Sequence, residues 1–202
     1  MKMRLLPLLA LLPGLVWASG PKVEMKTNLG NIVIELNAEK APKTVENFLS
    51  YVNDGSYNHS VFHRVIPGFV AQGGGYNADY NPLPTHAPVV NESSNGLSNR
   101  RGTIAMARMS DPDSATRQFY FNLNDNLSLD ANMQPGYTVF GTVVQGQEVL
   151  DKIAQQPTTV SEQLRTGDVP SRPIVIEEVT RIEEPAAVAP NATATAEPKA
   201  VQ

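Results

Sequence analysis

What a chain can fold into is limited first by the length of its apolar runs, and here they are short. Residues 23–27, 31–36, 61–65, 68–72, 102–107, 118–123, 137–144 and Ile174–Ile182 are rich in Val, Ile, Phe, Tyr and Thr. The stretches between them are rich in Gly, Pro, Asn, Asp and Ser, which punctuate strands. Asn28-Leu29-Gly30 joins the first two runs and predicts a hairpin. Only two segments carry a helical period. Lys40-Ala41-Pro42 opens the first, Val45, Phe48, Leu49 and Val52 form its apolar face, and Asp54-Gly55 stops it. Gln147–Ala154 is the second, with Val149, Leu150 and Ile153 inward. Strands and helices do not alternate, so a parallel βαβ sheet is excluded. The expected fold is mainly β: an antiparallel sheet or closed barrel with helices at its ends.

The ends of the chain do not belong to that body. Lys2 and Arg4 precede an apolar run over residues 5–17, interrupted by Pro7, Pro13 and Gly14 and too short to span a bilayer. Val16-Trp17-Ala18 predicts a secretory signal over residues 1–18, cleaved after Ala18. Cleavage removes two cations from a chain of net charge −4, which leaves −6. Residues 185–202, mostly Ala, Pro, Thr and Val, predict a flexible tail. The domain is thus expected over residues 22–184. The 202 residues include no Cys, which excludes disulfides and thiolate chemistry, and only His59, His63 and His86. The acidic balance argues against a nucleic-acid partner. Secretion without Cys suits a bacterial periplasm, with no membrane attachment after cleavage.

Chemistry concentrates in four pieces. In VFHRVIPGFVAQGGG, residues 61–75, strict alternation would place Phe62, Arg64 and Ile66 on one face and Val61, His63 and Val65 on the other. A guanidinium on an apolar face is costly unless it is paired or serves a site. This segment alone leaves a structural ion pair and a functional Arg64 equally open. Gln72 starts the run Gly73-Gly74-Gly75. No lysine or helix start follows, so the run predicts a rim where a ligand backbone approaches rather than a phosphate loop. In residues 117–123, Gln118, Tyr120 and Asn122 share one face and Phe119, Phe121 and Leu123 the other. Tyr137 stands before an apolar strand. Asp111-Pro112-Asp113 predicts a turn, and His63 a structural role.

Taken in order, FHRVIPGF-x-x-QGG, GTIAMAR, DSATRQF-x-F and GY-x-VFG resemble the cyclophilin-type peptidyl-prolyl cis-trans isomerases. The resemblance extends from Lys22 to Ile182 and includes the opening hairpin and the APKTVENF helix. With the signal, the MAR and Tyr137 variants are similar to the periplasmic bacterial branch. The resemblance implies a closed eight-stranded antiparallel β-barrel capped by two helices. It implies rotation about X–Pro bonds of unfolded or partly folded polypeptides, by a monomer, without metal or cofactor. It assigns Arg64 to the prolyl nitrogen and Gln72 to the substrate backbone. It places Phe69, Val70, Tyr120, Leu129 and Tyr137 around the proline, and Ala107, Arg108 and Gln118 along the residue before it.

Departures from the family pattern qualify that assignment. Tyr120 stands where Phe is frequent, Tyr137 where His is common in animal members, and Val70 where Met is frequent. Arg108 replaces Asn and adds a charge at the groove edge, which favours acidic neighbours in the substrate. Ser128 stands where the family usually has Trp or Phe, an aromatic that helps grip cyclosporin, so weak cyclosporin binding is expected. An alternative is a proline-binding holdase with little catalysis. A second is an envelope-anchored protein working through its tail.

Overall fold

The computed structural model describes residues 20–183, so the predicted signal and the whole of the predicted tail lie outside the described residues. Ten strands and two helices follow in the order β1 (Lys22–Thr27), β2 (Gly30–Leu36), α1 (Pro42–Asn53), β3 (Ser60–Ile66), β4 (Val70–Asn77), β5 (Thr103–Met106), β6 (Phe119–Asn122), β7 (Val139–Gln145), α2 (Gln147–Ala154), β8 (Thr158–Ser161), β9 (Thr166–Pro170) and β10 (Ile174–Ile182). Eight strands close an antiparallel barrel in the order β1-β10-β3-β4-β6-β5-β7-β2, which leaves no free sheet edge. β8 and β9 form a separate two-stranded sheet that the sequence reading did not anticipate.

The barrel follows from side-chain alternation. Along β1, Val23, Met25 and Thr27 are buried and their neighbours are half-exposed. The interior is filled by rings: Phe119 meets Phe48, Phe62 and Phe121 edge-on, with centroids 5.8, 6.2 and 5.8 Å away. α1 contributes Val45, Phe48, Tyr51 and Val52 to this core, and α2 contributes Val149, Leu150 and Ile153, so the apolar faces read from the sequence are the packed ones. The first N–H groups of α1 are not capped by a neighbour in sequence. Glu92 reaches them from a distant loop: its carboxylate accepts from the Lys43 and Thr44 amides at 3.1 and 2.8 Å.

Two local expectations are corrected. The first is strict alternation in β3. Its pairing with β4 shifts register between Phe62 and Arg64, so Phe62 and Val65, three residues apart, both enter the core. An irregular residue in the ladder reverses the faces that follow it. Arg64 therefore stands opposite the core rather than beside Phe62. The second is the glycine run, which lies inside β4 under the protein's own side chains. A Cβ at Gly74, whose φ is +85°, would lie 2.7 Å from the Phe119 ring, and one at Gly75 would lie 2.6 Å from the Gln118 side chain. These glycines admit protein packing, not a ligand backbone.

Among the described residues, no helix is long and apolar enough to cross a membrane.

Candidate active site

Register places the site. Directly paired residues on antiparallel strands point to the same face. Val65 pairs with Ala71, Ala71 with Phe121 and Phe121 with Ile104, and all four side chains lie in the barrel core. The neighbouring row must then face outward. That row runs Arg64, Gln72, Tyr120, Ala105 and Val139 across β3, β4, β6, β5 and β7. With strands about 4.8 Å apart, Arg64 and Tyr120 stand two strand steps, about 10 Å, from each other.

The outer row carries a second apolar cluster, distinct from the core. Val70, Ala105, Tyr120 and Val139 are buried in it, and Phe69, Leu97, Ala107, Leu129 and Tyr137 pack against them. Phe69, Val70, Ala107, Tyr120, Leu129 and Tyr137, which the resemblance places along the substrate, thus meet in one place. Leu97, Ala105 and Val139 join them without any sequence signal beyond being apolar. The Tyr120 and Tyr137 rings meet edge to face at 5.9 Å.

Beside this cluster runs a polar chain. Arg64 Nη1 donates to Gln72 Oε1 at 3.4 Å, and Gln72 Nε2 donates to Gln118 Oε1 at 2.9 Å. Arg64 Nε also lies 3.5 Å from Asp168 Oδ2, with the two side chains 35% and 39% exposed. The resulting surface is an apolar cluster on the outer face of the barrel, called the recess below, with an amide chain and a permanent cation on one flank.

The recess is held from behind by amides. The Tyr120 hydroxyl donates to Asn99 Oδ1 at 2.8 Å, so the hydroxyl that departs from the usual Phe is satisfied inside the protein. Asn122 Nδ2 donates to the same oxygen at 3.1 Å and to Thr103 Oγ1 at 2.9 Å. Asn126 Nδ2 donates to Asn122 Oδ1 at 2.7 Å and to the Phe69 carbonyl at 2.8 Å. Asp130 accepts from Ser98 Oγ and from both nitrogens of Asn99. The Tyr137 amide donates to the Leu129 carbonyl at 2.9 Å. Tyr120, Phe69, Leu129 and Tyr137 are therefore tied to one network. Asn122 shares the strand face of Tyr120, as its alternation predicts, but Asn99 and Asn126 carry no sequence signal, since scattered asparagines look like turn residues.

Two arginines have structural surroundings. The Arg108 guanidinium covers the Tyr137 ring at 4.6 Å. Its Nε, Nη2 and Nη1 donate to the carbonyls of Gly136, Pro135 and Met109 at 3.2, 2.8 and 2.9 Å. Its donors brace the loop that carries Tyr137. Arg117 is 1% exposed and donates to the carbonyls of Gly74, Pro84 and Ser56 at 2.6, 2.6 and 2.5 Å. It locks three chain segments beside β4 without facing the recess.

His63 is buried against the Tyr76 ring at 4.7 Å. Burial, reinforced by the Arg64 charge, pushes its pKa down to about 4, so it is neutral at pH 7.

The comparisons with known proteins agree with this geometry. A family model, cyclophilin type peptidyl-prolyl cis-trans isomerase, matches residues 22–181. A peptidyl-prolyl cis-trans isomerase of Acinetobacter baylyi is 53% identical over 76% of this chain and 81% of that protein. The isomerase A of Dickeya dadantii is 49% identical over 85% and 90%. A crystal structure of a Cryptosporidium parvum cyclophilin-type isomerase, determined in the presence of the dipeptide Ala-Pro, superposes with a TM-score of 0.66 at 25% identity. That likeness covers 81% of this chain and 99% of the parasite chain. A fold, a recess and a sequence match over the same residues lead to one conclusion: the chain belongs to the cyclophilin-type peptidyl-prolyl cis-trans isomerases.

Proposed function

We propose that the outer recess seats the proline ring of an X–Pro segment and that Arg64 drives rotation about the preceding bond. The planar amide is protected by a barrier of about 18–20 kcal/mol. Twisting it localises the lone pair on the prolyl nitrogen. A donor aimed at that nitrogen stabilises the twisted amide and not the planar one, which lowers the barrier. A guanidinium supplies such a donor, stays charged at every physiological pH, and is pre-aimed by its partners. Phe69, Val70, Leu129, Tyr120 and Tyr137 grip the ring, while Gln72, with Gln118 behind it, fixes the substrate backbone. Ala107 and the braced Arg108 border the path of the residue before proline. No bond is broken, so the chemistry needs no nucleophile.

The observation that carries this reading is the placement of Arg64 and Gln72 on the outer row beside an apolar cluster separate from the core. The test is cis/trans exchange of a short X–Pro peptide by NMR, with wild type and Arg64→Ala. Removing one pre-aimed donor costs about 2.7–4 kcal/mol, roughly a hundred- to thousandfold in rate. Unchanged exchange in the variant overturns the role of Arg64. Peptide binding without exchange in folded wild type supports the holdase.

The physiological setting is the bacterial periplasm, where a monomer released by cleavage after Ala18 assists the folding of secreted chains. The support is the cationic start, the short apolar run and the small residue at the cleavage point. Fractionation of cells expressing the full chain, with N-terminal sequencing of the mature protein, tests it.

A further inference from the structure

From the β8–β9 hairpin we infer a positioning residue for the reaction: Asp168, whose carboxylate aims the Arg64 guanidinium at the substrate. The inference rests on the role of Arg64 proposed above. An arginine on a sheet face has a long flexible stem, and on its own it samples many rotamers. To act as a pre-aimed donor it must be held on one side and free on the other. Asp168 Oδ2 lies 3.5 Å from Nε, and Gln72 Oε1 accepts from Nη1 at 3.4 Å. Neither partner engages Nη2, so that edge of the fork is available to a prolyl nitrogen.

The carboxylate is itself fixed. Val169, the next residue of β9, is buried, and alternation puts the half-exposed Asp168 on the opposite face of the strand. Thr166 Oγ1 donates to Asp168 Oδ2 at 3.4 Å. The base of the hairpin is closed by the Ser171 amide on the Pro157 carbonyl at 2.8 Å. Near its tip, Gln163 Nε2 donates to the Asp79 and Tyr80 carbonyls at 3.3 and 3.1 Å. A hairpin outside the barrel, tied at both ends, thus presents one carboxylate to the cation. The prolyl nitrogen is uncharged, so substrate does not compete with Asp168 for the guanidinium.

The pair is half-exposed, so its effect on stability is small, and its effect on geometry is what an assay reads. Asp168→Asn removes the charge, and Asp168→Lys places a like charge beside Arg64. The expected result is a graded loss of kcat in NMR exchange of an X–Pro peptide. Asn costs about fivefold, the ceiling for an exposed pair, and Lys costs more. Peptide affinity and Tm stay unchanged. The Arg64 Nε–H signal exchanges faster with solvent in both variants. In an Arg64→Ala background neither substitution has a further effect. Wild-type or higher activity in both variants overturns the inference, as does the same loss in the Arg64→Ala background. If Arg64→Ala alone leaves exchange intact, the reading of Arg64 itself fails.

Discussion

The buried network behind the recess offers the sharpest test of how the recess is held. The perturbation is Asp130→Ala. Asp130 Oδ1 accepts from the Asn99 amide at 2.7 Å and from Asn99 Nδ2 at 2.9 Å, and Oδ2 accepts from Ser98 Oγ. Asn99 is fully buried, so water does not replace these partners. Asn99 Nδ2 keeps a 3.4 Å contact with the Tyr137 carbonyl, but its main-chain N–H is left unsatisfied. One orphaned buried donor and one weakened one cost together about 2–4 kcal/mol. In a domain of this size that lowers Tm by roughly 5–15 °C. The same change frees Asn99 Oδ1 to move away from the Tyr120 hydroxyl and loosens the turn carrying Leu129. Peptide affinity should therefore fall while kcat, set by Arg64, stays near wild type. Asp130→Asn keeps one acceptor oxygen and should cost about 1 kcal/mol. Thermal melts, urea unfolding and peptide titration measure all three effects. An Asp130→Ala protein with wild-type Tm and peptide affinity would show that the recess does not depend on this carboxylate. Burial pushes the Asp130 carboxyl up, but hydrogen bonds from Ser98 and Asn99, with the Arg100 charge, outweigh it and leave the pKa below 3.8. Its stabilisation is therefore full above about pH 4 and is lost as pH falls through the lowered folded value.

Other outcomes follow from single contacts. His63 titrates at about 4 in the folded protein and at 6.5 unfolded, so its protonation favours unfolding. Stability should be full above pH 6.5 and decline by up to about 3 kcal/mol as pH falls toward 4; His63→Phe should flatten that limb in urea melts, and an unchanged slope refutes the assignment. Arg117→Met strips a charged donor from three carbonyls and should cost at least about 3 kcal/mol by denaturation, with no gain in activity at any pH. Tyr120→Phe removes one donor from Asn99 Oδ1, which keeps Asn122, so it should cost about 1 kcal/mol and leave peptide exchange within about threefold of wild type. Ser128, exposed beside Leu129, offers no aromatic surface to cyclosporin; calorimetric titration should show micromolar or weaker affinity, and nanomolar binding refutes this.

The sequence by itself was sufficient wherever a single chain period decides the outcome. α2 and β10 have the bounds their patterns predict, and the alternation of Phe119, Tyr120 and Phe121 across the sheet is the observed one. A period of 3.6 or of 2 is a local property, and burial of one face follows from it. The motifs that resemble the isomerase family span Arg64, Gln72 and most residues of the recess because those positions lie within a few short runs, whereas Leu97 and Leu129 fall outside them. Tertiary structure decided what depends on a partner strand. The irregularity in β3 is a mismatch with β4, and no pattern within residues 60–66 announces it; yet it puts Arg64 outside the core. Asn99, Asn122, Asn126 and Asp130 become one network only when loops far apart in sequence converge. Glu92 caps α1 from across the fold, where a helix-capping rule looks only at neighbours. Asp168 is more than a hundred residues from Arg64, in a segment too polar to signal a strand, and becomes its partner only because the hairpin folds back along β3. Local periodicity is written in the residues themselves, whereas register and long-range pairing are set by which surfaces meet, and that is settled only when the barrel closes.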